Sequence, residues 1–411
     1  MSHCTILHVA SHEINVGDGA LIGGIRQVLR EIAGFEPRYR PMEMTDFPAR
    51  SSEVSPESLD AASADLILVG GGGSIDGRPS HTRSGMAFPL SGDEVRRLRT
   101  PLAYVALGVN MLPGEGLHHA DRLAEVLRAC RDRGIPFSVR NDGSLARLRD
   151  AVEDAADAVV EVPDPGFFVS VDPGHVVPAM SGHRPSVLVQ IAGDNPDKRL
   201  GVSKSSRSWS WRRAGGDARQ RFVADVAELV RWLIAELDAE VILAPHILRD
   251  VPATGELVAR LDPAICRRRV RVLGVPHAMH APQFFQAYAK ADLVVGMRGH
   301  SVICAVGLRR PCVALSTHAK VSGFMQSCQL SEWSIALERE WIDRVRQACR
   351  QLVESPDVQL AKRDRATAGF HNQFARFMQQ CWDRRRHTSD GVRHDWPAAA
   401  MGSGSARGCK I

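Results

Sequence analysis

Short β-branched and aliphatic runs alternate with stretches of helical periodicity along most of this 411-residue chain, and that alternation limits the fold to layered α/β architectures. TILHVAS, ADLILVGGG, PLAYVALG and IPFSVRN read as strands of a first half. DGALIGGIRQVLREIAG, HADRLAEVLRACRDRG and SLARLRDAVEDA carry apolar residues at helical spacing and read as the helices between them. A second series follows the proline-rich VDPGHVVPAMSGHRPS: SVLVQIAG, AEVILAPH, RVRVLG, ADLVVGM and PCVALST as strands, with RQRFVADVAELVRWLIAELD as the clearest amphipathic helix.

Two Rossmann-like parallel-sheet domains facing a cleft are therefore expected, joined near residues 172–185. The expected divisions are 1–175 and 176–366 for the two α/β domains, a helix within 367–390 packing back on the first, and a flexible tail at 391–411. In open parallel sheets, ligands bind beyond the carboxyl ends of the strands, so the strand-to-helix turns should carry the chemistry.

Composition narrows the function classes. With 44% hydrophobic and 24% charged residues the chain reads as soluble and globular, and a formal charge of +5 is too small at this length to argue for nucleic-acid binding. It suits a small anionic substrate. The nine cysteines are odd in number and show no paired CxxC spacing, which suggests neither a zinc site nor a disulfide framework and fits a reducing cytoplasm. The N-terminus lacks the pattern of a signal peptide and no apolar run is long enough to span a bilayer, so membrane association would have to be peripheral.

Four turns stand out. HEINVGDGALIGGI places Asn15, Gly17 and Asp18 between the first strand and helix, where free N–H groups favour an anion and where Asn15 or Asp18 could equally serve as a helix cap. ADLILVGGGGSIDG ends a strand in four glycines, including Gly72 and Gly73, which is conformationally costly unless something approaches that backbone; a tight unliganded loop is the alternative. IPFSVRNDGS ends a strand at Arg140, suited to a two-pronged hold on carboxylate or phosphate or to a structural salt bridge. ADLVVGMRGHSVICAVG puts Arg298 and His300 where a strand runs into a helix, so that arginine and imidazole can act on one anion, and Lys320 adds a third cation at the same edge.

Taken together these motifs resemble the polysaccharide pyruvyl transferase family. The matching pieces, in the family's order, are NVGDGA (Asn15–Ala20), DLILVGGGG (Asp65–Gly73), PLAYVALGVN, SVRNDGS (Ser138–Ser144), DPGF (Asp164–Phe167), APHILRD (Ala244–Asp250), the RGH segment and THAK, over roughly residues 10–330. The resemblance implies a fold similar to GT-B glycosyltransferases. It also implies transfer of a pyruvyl group from phosphoenolpyruvate to two sugar hydroxyls, giving a pyruvate ketal in cell-surface or exopolysaccharide biosynthesis. By that pattern Arg140, Arg298 and Lys320 hold the donor, with Asn15, Gly17, Asp18, Gly72 and Gly73 around it, and His300 is the general acid. The implied partners are phosphoenolpyruvate as co-substrate and a sugar, oligosaccharide or lipid-linked sugar as acceptor. No other cofactor, no metal and no nucleic acid are implied. A cytoplasmic protein, able to work at the inner membrane surface and to form a homo-oligomer, is compatible with this.

Two features depart from the pattern. Asn141 stands where the family often has an acidic residue, with Asp142 next. The segment RLGVSKSSRSWSWRRAGG carries no family signature; Trp209, Trp211 and Arg212 could stack on and bind an acceptor, or form a solvated loop with two packed indoles. His246 could contact the acceptor, whereas Asp250 is expected to order the cleft. The competing functions are a GT-B-type glycosyltransferase using a nucleotide-sugar donor and a family member that binds without turnover.

Overall fold

The computed structural model describes residues 4–44, 53–111, 116–172, 174, 183–195, 199–200, 210–338 and 340–385. The tail expected at 391–411 lies outside the described residues, as does Trp209; the side chains of Trp211 and Arg212 are likewise outside them.

The first sheet contains β1 (Thr5–Ala10), β2 (Arg38–Glu43), β3 (Leu66–Gly70), β4 (Leu102–Leu107), β5 (Phe137–Arg140) and β6 (Val160–Val162), all parallel, in the order β2-β1-β3-β4-β5-β6. Around it run α1 (Val16–Ala33), α2 (Pro56–Ala61), α3 (Gly92–Arg97), α4 (Ala120–Asp132) and α5 (Ser144–Val152). The second sheet contains β7 (Ser186–Gln190), β8 (Glu240–Leu243), β9 (Val270–Val272), β10 (Leu293–Gly296), β11 (Cys312–Ser316) and β12 (Ser334–Ala336), also all parallel, in the order β12-β11-β10-β7-β8-β9. Its helices are α6 (Ser210–Glu236), α7 (Val251–Ala259), α8 (Pro263–Arg269), α9 (Ala281–Lys290), α10 (Gly299–Gly307), α11 (Ala319–Ser327), α12 (Trp341–Glu354), α13 (Pro356–Thr367) and α14 (Phe370–Arg384).

Each sheet has one point where the winding reverses, between β1 and β3 in the first and between β7 and β10 in the second. Crossovers leave such a point in opposite directions and open a crevice at the carboxyl ends of the two strands. The Asn15 turn and the four-glycine turn flank the first crevice, and the turns holding Asp194 and Arg298 flank the second. The topology therefore brings the chemistry-bearing loops of both sheets to one place.

Two packing features hold the halves together. Val16 and Ala20 of α1, with Phe167 and Val169 after β6, belong to the same apolar core as β7, β10 and α10, so the core of the second sheet reaches into the first half, while the two faces of the first sheet pack in cores of their own. Helix α14 buries Phe374, Phe377, Met378, Cys381 and Trp382, an i, i+3, i+4, i+7, i+8 stripe, against Ile6, Leu21, Ile25 and Leu68 of the first half. No helix among the described residues is long and apolar enough to cross a membrane.

Truncating Phe374, which is fully buried in that stripe, to alanine is expected to cost about 3–5 kcal/mol. Urea denaturation measures it; a loss below about 1 kcal/mol would show that α14 is not anchored in this way.

Candidate active site

The cleft between the sheets encloses about 220 Å³ and is lined on the first-half side by Asn15, Asp18, Gly73, Asn110, Arg140 and Asp142. The second half contributes Asp194, Arg199, His246, Arg298, His300, His318 and Lys320.

Asn15 does cap α1: its side-chain oxygen accepts from the Gly17 N–H at 3.0 Å. Asp18, in the first turn, also faces the cleft, and its Oδ1 lies 3.8 Å from Nδ1 of His300. Burial raises the Asp18 carboxyl pKa, opposed by the charges of His300, Arg140 and Lys320. Gly17 gives room to His300. A Cβ there would lie 2.5 Å from His300 Nδ1, so its hydrogen lets the imidazole of one half rest on the helix of the other.

In the four-glycine turn, Gly71 has φ of 105°, a backbone conformation suited to glycine. Gly73 lines the cleft, and a Cβ on it would stand 3.1 Å from the Lys320 amine. Gly72 has open space around it and is not part of the lining.

Arg140 is buried at the end of β5. Its Nη1 donates to Asp164 Oδ2 at 3.0 Å and to His300 Nε2 at 3.2 Å, while Nε stands 3.5 Å from Asp142 Oδ2. The salt bridge and the cleft position thus coexist. Burial alone would raise the Asp164 carboxyl pKa, but Arg140, His300 and the Gly166 N–H together hold it well below the usual carboxylate range. Because a guanidinium can only donate, its contact with Nε2 requires a lone pair there, which places the proton of the neutral His300 ring on Nδ1, beside Asp18. Asn141 explains its own departure from the family pattern. Its side-chain oxygen accepts from the Asp164 N–H at 2.9 Å and its amide donates to Ser327 Oγ of the second half at 3.0 Å, a donation a carboxylate could not make.

Arg298 is the N-cap residue of α10, but its side chain is already engaged. Nε donates to Asp250 Oδ2 at 2.8 Å, and Nη2 donates to Asp250 Oδ1 and Asp194 Oδ1, each at 2.5 Å. Asp250 is fully buried and also accepts from the backbone N–H groups of Gly193 and His246, so it orders the cleft. Lys320 differs from both arginines, making no ion pair among the described residues. Burial first, then the charges of Arg140 and Arg147, lower its amine pKa to about 7 against the pull of Asp142 and Asp18.

Sequence reading gave no role to Asp164, Asp194, Arg199, Asn110 or His318. The strand-end rule that singled out Arg140 applies equally to Asp194 after β7 and His318 after β11. His318 Nδ1 accepts from the Lys320 N–H at 3.2 Å and so caps α11, and burial lowers its pKa to about 3.

Residues 15–319 match the polysaccharide pyruvyl transferase family. The chain belongs to that family. No curated protein is similar enough to count as a match. Among solved structures it is similar to a putative UDP-N-acetylglucosamine 2-epimerase from Listeria monocytogenes, with 13% identity, TM-score 0.56, and 91% of this chain and 94% of that one covered. UDP-GlcNAc 2-epimerase from Neisseria meningitidis gives 10% identity, TM-score 0.53, and coverage of 92% and 100%. An α,α-trehalose 6-phosphate synthase from Burkholderia multivorans gives 10%, 0.51, 94% and 99%. At such identities the likeness concerns the fold, which is GT-B. Family membership makes this chain a transferase with a sugar or polysaccharide acceptor.

Asp250→Ala would leave the buried Arg298 guanidinium without its main partner, at an expected cost of about 3–5 kcal/mol in a urea titration. A near-zero change would mean that Asp194 alone suffices to hold Arg298.

Proposed function

We propose that this pyruvyl transferase takes its pyruvyl group from phosphoenolpyruvate and moves it to two hydroxyls of a sugar, forming a pyruvate ketal and releasing phosphate. The observation that carries this reading is the Lys320 amine, a cation without a carboxylate partner among the described residues, sharing a small cleft with His300 and Arg140. A small anion supplies what Lys320 lacks, and the α10 N-terminus adds backbone N–H groups.

His300 is the proton source. Its proton passes to the methylene carbon of the donor, which becomes a methyl group and leaves the central carbon electron-poor. A first sugar hydroxyl adds to that carbon, and the carbon–phosphate oxygen bond breaks. A second hydroxyl then adds and closes the ketal. Of the two hydroxyl protons displaced, one restores His300 and the other leaves with phosphate. Asp18 and Asp164, near the two ring nitrogens, keep the imidazole oriented, and Arg140 keeps Nε2 occupied in the neutral ring. This assigns Arg140 and Lys320 to the donor. Arg298 contributes through its Nη1, the one guanidinium nitrogen not engaged by Asp250 or Asp194.

Calorimetric titration with phosphoenolpyruvate, beside UDP and GDP in the same salt, tests the reading. Binding of phosphoenolpyruvate and not of the nucleotides is expected; binding of a nucleoside diphosphate alone would transfer the protein to nucleotide-sugar chemistry. A bound anion favours charged Lys320, so above about pH 7 donor binding must take up a proton. Donor affinity should fall with rising pH by up to about tenfold per unit between about 7 and 9, and Lys320→Arg should flatten that slope. A wild-type affinity independent of pH over that range would remove Lys320 from donor binding. His300→Gln is expected to bind phosphoenolpyruvate nearly as well as the parent while losing transfer to sugar; retained transfer would exclude His300 as the acid.

A further inference from the structure

His246 lies three residues beyond β8 and is fully buried, yet it lines the cleft. Phe284, Phe285 and Tyr288 of α9 meet its ring edge-on, with centroids 5.3, 5.8 and 5.8 Å away. Its backbone N–H donates to Asp250 Oδ2 at 3.0 Å. On the ring, Nε2 is 2.6 Å from the Tyr288 hydroxyl, which is 3.0 Å from Ser301 Oγ. Nδ1 is buried and has no partner among the described residues. Burial, with the nearby charges of Arg298 and His300, lowers the pKa of this imidazole well below the usual value, so the ring is neutral and one nitrogen carries the single proton.

The 2.6 Å separation favours the tautomer protonated on Nδ1. Hydroxyl donors make shorter hydrogen bonds than ring N–H donors, so Tyr288 O–H donates to Nε2, and Ser301 Oγ donates to Tyr288. The proton then sits on Nδ1, giving a buried N–H without an acceptor in a cleft-lining residue, an arrangement that costs stability unless a ligand oxygen receives it. Close by on the same wall, Arg199 Nη2 donates to Asp194 Oδ2 at 3.1 Å, and both residues face the cleft.

We propose that His246, Asp194 and Arg199 form the subsite for the acceptor sugar. His246 Nδ1–H donates to a hydroxyl oxygen, Arg199 donates to another, and Asp194 accepts a hydroxyl proton in a hydrogen bond. Charge argues for a neutral polyol here and not for the anionic donor. Arg199 and Arg298 are balanced by Asp194 and Asp250, and His246 is uncharged, whereas Lys320, a cation without an ion pair among the described residues, stands beside Gly73 and near Arg140. Sugar hydroxyls both donate and accept, which this mixed wall requires and a phosphate dianion cannot match. The assignment rests on the pyruvyl-transfer reading for the nature of the second substrate.

Long-range ¹⁵N–¹H spectra of the full chain labelled at histidine test it directly. The free protein should show His246 as the Nδ1–H tautomer. The methyl glycosides of glucose, galactose and mannose, added one at a time with phosphoenolpyruvate present, are the probes. At least one should shift the His246 Nδ1 resonance, and His246→Phe, which keeps an aromatic ring in the cage, should weaken that sugar at least about tenfold while leaving phosphoenolpyruvate affinity unchanged. The opposite tautomer, or no shift at His246 with any of the three sugars while phosphoenolpyruvate binds, overturns the subsite. Loss of phosphoenolpyruvate in place of sugar in His246→Phe also overturns it. A His246 shift with sugar in a protein that does not bind phosphoenolpyruvate would keep the subsite and refute the donor.

Discussion

The junction of Arg140, Asp164 and His300 governs how the two halves meet. A buried guanidinium needs compensation, and Asp164 and Asp142 provide it within the first half. That leaves one edge of Arg140 directed at an imidazole that arrives from the second sheet. Space for the meeting comes from missing side chains: Gly17 beneath His300, and Gly108, where a Cβ would stand 1.8 Å from Arg140 Nη2. Asn141 adds a neutral bridge that satisfies both a backbone N–H of the first half and a hydroxyl of the second.

Much of this was legible in the sequence, for reasons that can be stated residue by residue. Eight of the strands announce themselves because their interior runs, such as LILVG and CVALS, are almost wholly apolar, and the edge strand β9 does so through the Val-Arg-Val alternation of RVRVLG. β2, RYRPME, and the three-residue β6 and β12 do not: they are edge strands, short or polar, without an apolar run to detect. Similarly α13 is hidden because PDVQLAKRDRAT carries almost no apolar stripe, whereas α14 declares its stripe through phenylalanine and tryptophan.

The candidate site divides the same way. Residues at strand ends, Arg140, Arg298 and His300, could be found by the rule that parallel sheets bind ligands there. Their partners could not, since the pairing of Arg298 with Asp250 joins residues 48 apart in the chain and that of Arg140 with His300 joins residues 160 apart. Three cations looked equivalent as letters. Tertiary pairing makes them unequal, two arginines already satisfied by carboxylates and one lysine without such a partner among the described residues, whose charge is consequently sensitive to what else occupies the cleft.

The contact of Gly17 with His300 has a consequence for timing. The imidazole is carried by one half, while Asp18, Asp164 and Arg140, which surround its two nitrogens, belong to the other. Under the proposed role of His300, any rotation that parted the sheets to admit a bulky glycan would also dismantle the acid. On the proposed pyruvyl transfer, an open molecule would have nothing with which to protonate its donor, so the enol phosphate would stay guarded against water until the second substrate had been enclosed.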